Sequence, residues 1–172
     1  MGYAIELFFR DQESQSIQRL FEATGSVLAG IGTTPHITLA VFDEADPVAL
    51  ARITESFASN LSPLTIWFAS IGLFPGRENV VFLSPVVTTS VLVIHRDFHA
   101  QLAAAGLSVH PYYLPDAWVP HCTITVEVSL AQALETIRLA SDADILGRYT
   151  IESVGVVRFR PVEKLAVFTF RW

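Results

Sequence analysis

The sequence predicts a mixed fold of strands and helices built twice over, as two lobes about a pseudo-twofold axis. Three observations predict it. Periodicity alternates strand, helix, strand, helix, strand in each half of the chain, with one further strand at the end. Pro35-His36-Ile37-Thr38-Leu39 recurs as Pro120-His121-Cys122-Thr123-Ile124 at an offset of 85, and Ser70-Ile71-Gly72 recurs as Ser153-Val154-Gly155 at an offset of 83. Both offsets are close to half of the 172 residues and the order is kept. The repeat halves therefore fall at approximately 1–78 and 79–172 of one bilobal domain.

The elements follow in order. Tyr3–Phe9 alternates around Tyr3, Ile5, Leu7 and Phe9 and reads as a strand. Phe8 shares the other face with Glu6 and Arg10, which makes it a cleft wall or a residue buried under a helix. Asp11 to about Gly30 has helical spacing, with Ile17, Leu20, Phe21, Val27 and Leu28 toward the core. His36–Phe42 is a second strand. Asp46-Pro47 supplies an N-cap and a proline at the first helical position, starting a helix that runs to about Asn60. Leu64–Phe74 is a long strand stopped by Pro75-Gly76.

In the second half Asn79–Ser84 is a strand, and Thr88–Ala105 is a helix ended by Gly106. His121–Val128 is a strand and Ser129 to about Ser141 a helix. Tyr149–Phe159 and Lys164–Arg171 close the chain as strands.

Composition narrows the function. Hydrophobic residues make up 51% and charged residues 16%, enough apolar surface for a packed core. Mean hydropathy is +0.44, yet no apolar run approaches the ~18 residues of a spanning helix. Met1–Ser14 carries no export or anchoring signal, and Cys122 is the single cysteine. A cytoplasmic protein without a membrane partner is expected, with a monomer favoured.

The net charge is −6, and Lys164 is the only lysine among eleven basic residues. Extended, non-specific nucleic-acid binding is therefore disfavoured, while an arginine can still hold one phosphate bidentately. P-loop, dinucleotide-binding and nucleophile-elbow motifs are absent from the sequence.

Strand alternation sorts the repeated segments. His36 and Thr38 share a polar face, with Ile37 and Leu39 on the core side. His121 and Thr123 do the same, which makes Cys122 a small core residue. If the lobes meet about a twofold axis, two histidines and two threonines surround one point. A neutral imidazole can then take a proton while a protonated one gives a proton, and the hydroxyls can donate to phosphate oxygens. That scheme needs no cofactor and no metal. Random order yields about 0.02 copies of Pro-His-x-Thr, so two copies in matching strands carry weight.

The segments PHITLAV and PHCTITV resemble the paired signature of the two-histidine (2H) phosphoesterase superfamily, which includes 2′-5′ RNA ligase-like proteins and cyclic phosphodiesterases. The resemblance spans essentially the whole chain. It implies an α+β fold with antiparallel sheets lining a central cleft and helices packed outside. It also implies metal-independent chemistry on 2′,3′-cyclic phosphates or 2′-5′ linkages of a nucleotide or RNA terminus. His36 and His121 become the acid/base pair, and Thr38 and Thr123 the phosphate donors. Ligation in the reverse direction and a non-catalytic RNA- or nucleotide-binding module are the alternatives.

Substrate contacts are less constrained. Phe74-Pro75-Gly76-Arg77 is similar to a segment of RNA ligase-like members where an aromatic residue and an arginine stand near the cleft. Tyr112, Tyr113 and Trp118 precede the second motif and can stack on a base. Arg158 and Arg160 flank Phe159 and can add positive charge to a rim, or can mark a solvated strand end. His95 and His99 lie four apart on a helix beside a core stripe of Val91, Leu92, Phe98 and Leu102. They lack the third ligand and the glutamate that a zinc site of that spacing needs.

Overall fold

The computed structural model describes residues 2–171. Its strands are β1 (Gly2–Phe9), β2 (His36–Phe42), β3 (Leu64–Phe74), β4 (Asn79–Pro85), β5 (Cys122–Val128), β6 (Gly147–Phe159) and β7 (Glu163–Thr169). The helices are α1 (Asp11–Ala23), α2 (Val27–Gly30), α3 (Pro47–Ala58), α4 (Thr89–Ala104) and α5 (Leu130–Asp142), with a single 3-10 turn at Pro111–Tyr113. Among the described residues no helix is long and apolar enough to cross a membrane.

Local chemistry sets the helix ends. Asp46 accepts from the Val48 amide at 3.0 Å, with Pro47 just inside α3. Thr88 caps α4 through the Val91 amide, and Gly106, at φ +70°, follows its end. Ser129 and Gln132 form a reciprocal capping box on α5.

The first helix is shorter than expected. Gly25 takes a left-handed φ of +62°, and Ser26 turns its hydroxyl onto the Leu28 amide to start the separate α2. The break rotates Val27 out to 47% exposure, so Val27 is not a core residue, while Leu28 stays buried.

All strand pairing is antiparallel, in the order β2-β1-β6-β3-β4-β5, with β7 also on β6. The repeat is legible in the ladders: β2-β1-β6 matches β5-β4-β3, and β3 and β6 pair with each other at the centre. Each half is thus completed by a strand from the other, and the two sheets merge into one. Ile151 is the switch point, because β6 pairs β3 over Gly147–Ile151 and β1 over Ile151–Phe159.

One hydrophobic core runs under both halves. Phe21, Phe42, Phe68 and Phe98 are fully buried in it, beside Ile5, Leu39, Leu83 and Ile124. Each such side chain contributes about 2 to 3 kcal/mol of burial, and helix stripes supply the other layer. Cys122 is buried as expected, and burial pushes its thiol up to about 12, only partly offset by a backbone bond from His36. It is not a nucleophile at neutral pH.

Candidate active site

β2 and β5 stand at opposite ends of the strand order, yet they touch, so the sheet curls until its two ends meet. Each brings one His-x-Thr. The His36 Nδ1 donates to the Thr34 carbonyl at 2.7 Å, and the His121 Nδ1 donates to the Val119 carbonyl at 2.7 Å. Both bonds reach two residues back, so the repeat extends to the tautomer. With Nδ1 committed, the proton-accepting atom of each neutral ring is Nε2.

The surroundings of the two rings differ. His121 lies against Phe74 and Phe82, with ring centroids at 5.1 and 5.2 Å, and those two rings stack on each other at 4.2 Å. Burial is the main force driving the proton off His121, and the charge of His36 adds to it against the pull of the Val119 bond. His36 instead has the Glu6 carboxylate, with Oε1 3.5 Å from its Nε2, and the edge of Phe8 at 6.4 Å. Burial pushes the Glu6 carboxyl up, and His36 and Lys164 pull it back.

Matching rungs of the sheet explain the Ser-x-Gly repeat. Thr38, Glu6 and Gly155 sit opposite one another across β2, β1 and β6, as Thr123, Phe82 and Gly72 do across β5, β4 and β3. A Cβ on Gly72 would lie 2.3 Å from the Phe82 ring, and one on Gly155 would lie 2.8 Å from the Phe8 ring. Each glycine makes room for a phenylalanine at the cleft.

A groove of about 620 Å³ opens on the His121 side, where Phe74, Tyr112, Tyr113, Trp118, His121 and Thr123 line it. Trp118 is held firmly: its Nε1 donates to the Thr38 carbonyl at 2.9 Å, and its indole stacks on His95 at 4.0 Å, nearly parallel. Phe8 is buried beside His36 with the Lys164 Nζ 4.4 Å over its ring, and it does not line this groove. Arg77 is exposed in the β3–β4 turn and does not itself line this groove, although Pro75 and Val80 on either side of it do. Arg158 is ion-paired with Glu163, while Arg160 lies exposed in the turn beyond β6, so the two do not form a joint cationic rim.

His95 and His99 are in the core stripe of α4 rather than beside it, and Leu92 is the residue outside it, at 49% exposure. The His95 Nε2 donates to the Tyr113 carbonyl at 2.9 Å and the His99 Nε2 to the Leu39 carbonyl at 3.0 Å. With the Trp118 bond and the His110 amide on the Val41 carbonyl, they fasten the segment before β5 to the outer edge of β2. This also covers an edge strand.

Burial, reinforced by His99, lowers His95 to about 4. Because the folded state prefers the neutral ring, this contribution is complete above pH 6.5 and is lost as pH falls toward 4. Urea denaturation is expected to show stability dropping over that interval, by up to about 3 kcal/mol from this group. His95→Phe retains a stacking ring without a proton site and should flatten the slope; an unchanged slope would exclude His95 as its source.

Glu6, Phe82 and Lys164 were not reachable as site residues by motif. Glu6 becomes recognisable only once β1 is set in register with the Thr38 and Gly155 repeats.

A curled antiparallel sheet whose meeting ends carry duplicated His-x-Thr segments defines the two-histidine phosphoesterase class of fold. The sequence model of the 2'-5' RNA ligase superfamily matches residues 9–163, and the chain belongs to that superfamily. Among solved structures it is similar to TT0787 of Thermus thermophilus, at 18% identity and a TM-score of 0.64, covering 99% of this chain and 98% of that one. It is also similar to E. coli LigT, at 14% identity and a TM-score of 0.61 over 99% and 98% of the two chains. LigT is also known in complexes with phosphate and with 3'-AMP. Usb1 of Kluyveromyces marxianus shares the fold at 10% identity and a TM-score of 0.52, over 95% and 96%. Outer capsid protein VP2 of Bluetongue virus 1 (isolate South Africa) is 25% identical over 158 residues. That match takes in 81% of this chain but spans only 16% of the viral protein.

Proposed function

We propose that the chain is a metal-independent phosphoesterase acting on a 2′,3′-cyclic phosphate or a 2′-5′ phosphodiester of a nucleotide or RNA end. One observation carries this reading: both imidazoles are tied through Nδ1 to the carbonyl two residues back, leaving two Nε2 atoms as the exchangeable positions. One takes the proton of the attacking oxygen and the other protonates the leaving oxygen. Thr38 and Thr123, two residues along on the same faces, donate to non-bridging oxygens as charge builds in the transition state. The aromatic groove beside His121 accommodates a base by stacking, and the 3'-AMP complex of the similar LigT supports a nucleotide ligand. The substrate is a small nucleotide or an RNA terminus rather than a long polyanion, in keeping with a net charge of −6.

The test is hydrolysis of a panel of nucleoside 2′,3′-cyclic phosphates and a 2′-5′-linked dinucleotide with EDTA present. Turnover undiminished by EDTA is expected. Turnover that disappears with chelation and returns with a divalent cation would overturn the metal-independent scheme.

A further inference from the structure

The matching rungs of the two halves share their threonine and their glycine and differ in the residue between them. Between Thr123 and Gly72 stands Phe82, whose ring packs on His121; between Thr38 and Gly155 stands Glu6. We propose that Glu6 is a positioning residue that keeps a proton at His36, so that His36 is the acid and His121 the base of the resting enzyme. The inference rests on the two-histidine reading above.

The geometry is specific. Nδ1 of His36 already donates to Thr34, so the second proton of an imidazolium can sit only on Nε2, the atom 3.5 Å from the Glu6 carboxylate. A carboxylate at that range favours the charged ring. The other groups acting at Glu6 are Lys164 from β7, the Tyr113 phenol from the turn before β5, and the Cys122 thiol on β5. Burial raises Tyr113 and Cys122 so that both stay neutral, which leaves Lys164 as the other charged group facing Glu6. Burial of Glu6 works against its ionised form, and the neighbouring His36 and Lys164 work for it. His121 has aromatic rings in the matching place, and burial drives its proton off.

This order selects among substrates. His121 lines the aromatic groove, so a nucleoside whose base stacks there would bring its ribose hydroxyl to His121. The His121 Nε2 takes the hydroxyl proton and the oxygen bonds to phosphorus. The bond from phosphorus to the leaving oxygen breaks, and that oxygen takes the proton from the His36 Nε2. A cyclic phosphate and a free alcohol result, with His121 now protonated and His36 neutral. Opening a cyclic phosphate with water needs that second arrangement at the outset. Glu6 thus favours linear 2′-5′ diesters over 2′,3′-cyclic phosphates.

Two measurements test this. Histidine ring signals of the ligand-free protein, assigned from His36→Ala and His121→Ala, are followed by NMR against pH. In parallel, kcat/KM at pH 7 in EDTA is compared for 2′-5′-linked diadenosine and adenosine 2′,3′-cyclic phosphate in the wild type, Glu6→Gln and Glu6→Asp. His121 is expected to lose its proton at lower pH than His36. Glu6→Gln should bring the two midpoints together and lower the linear-to-cyclic ratio about tenfold, and Glu6→Asp should restore much of both. A wild-type His36 that loses its proton at or below the pH of His121 overturns the proposal. So does a Glu6→Gln protein with unchanged order and ratio. If the wild type turns over neither substrate, the phosphoesterase reading fails, and the NMR order alone decides the role of Glu6.

Discussion

Turnover is expected to fall at least about 1,000-fold in His36→Ala and in His121→Ala, each assayed on the best substrate of the panel. Acid/base transfer by one positioned side chain contributes roughly 10²- to 10⁴-fold, and removing either partner here also leaves the other without its complementary step. Folding should survive both changes. The core side of β2 is formed by Ile37 and Leu39, and that of β5 by Cys122 and Ile124. The Nδ1 bond of each imidazole stays within its own segment, so losing that bond costs about 1 kcal/mol. Circular dichroism and the urea midpoint check the fold while the EDTA assay checks turnover. Full activity in either variant would exclude the two-histidine mechanism.

Gly155→Ala is expected to be the most damaging single methyl addition in the chain. The new Cβ would stand 2.7 Å from the Ala166 carbonyl oxygen and 2.8 Å from the Phe8 ring. The oxygen belongs to the backbone of β7 and cannot swing aside, and Phe8 is itself buried, so β6 and β7 must separate. A loss of about 2 to 4 kcal/mol follows from overpacking combined with disturbed pairing. Gly72→Ala meets only the Phe82 ring, which can turn at the expense of its contact with His121. That variant should lose more activity than stability. Thermal melts beside turnover separate the two, and a Gly155→Ala protein as stable as the wild type would refute the packing described.

The repeated Pro-His-x-Thr and Ser-x-Gly segments made the duplication and the pairing of the two His-x-Thr strands legible in the sequence, because strand alternation alone says which residues share a face. Register is what alternation leaves out. Nothing local to Glu6 sets it beside His36; that needs β1 placed between β2 and β6, a pairing made across most of the chain. Val27 misled because one left-handed glycine outweighs a good helical stripe. His95 and His99 looked peripheral because their value lies in backbone carbonyls of another element, Tyr113 and Leu39, which no motif encodes. Trp118 was legible as a cleft residue, but not as one whose indole N–H is already engaged.

The strand exchange at Ile151 also governs how the chain acquires its structure during synthesis. β1 can pair with β2 early, but its other edge stays bare until β6 arrives, with Tyr3 waiting for Arg158. Closing so large a loop is slow, and an unpaired strand edge in the meantime is open to other chains. The first half is therefore no independent folding unit, and a nascent chain must emerge past Phe159 before His36 has a finished sheet behind it. The β5-β4-β3 ladder behind His121, by contrast, has all its strands once Val128 is made.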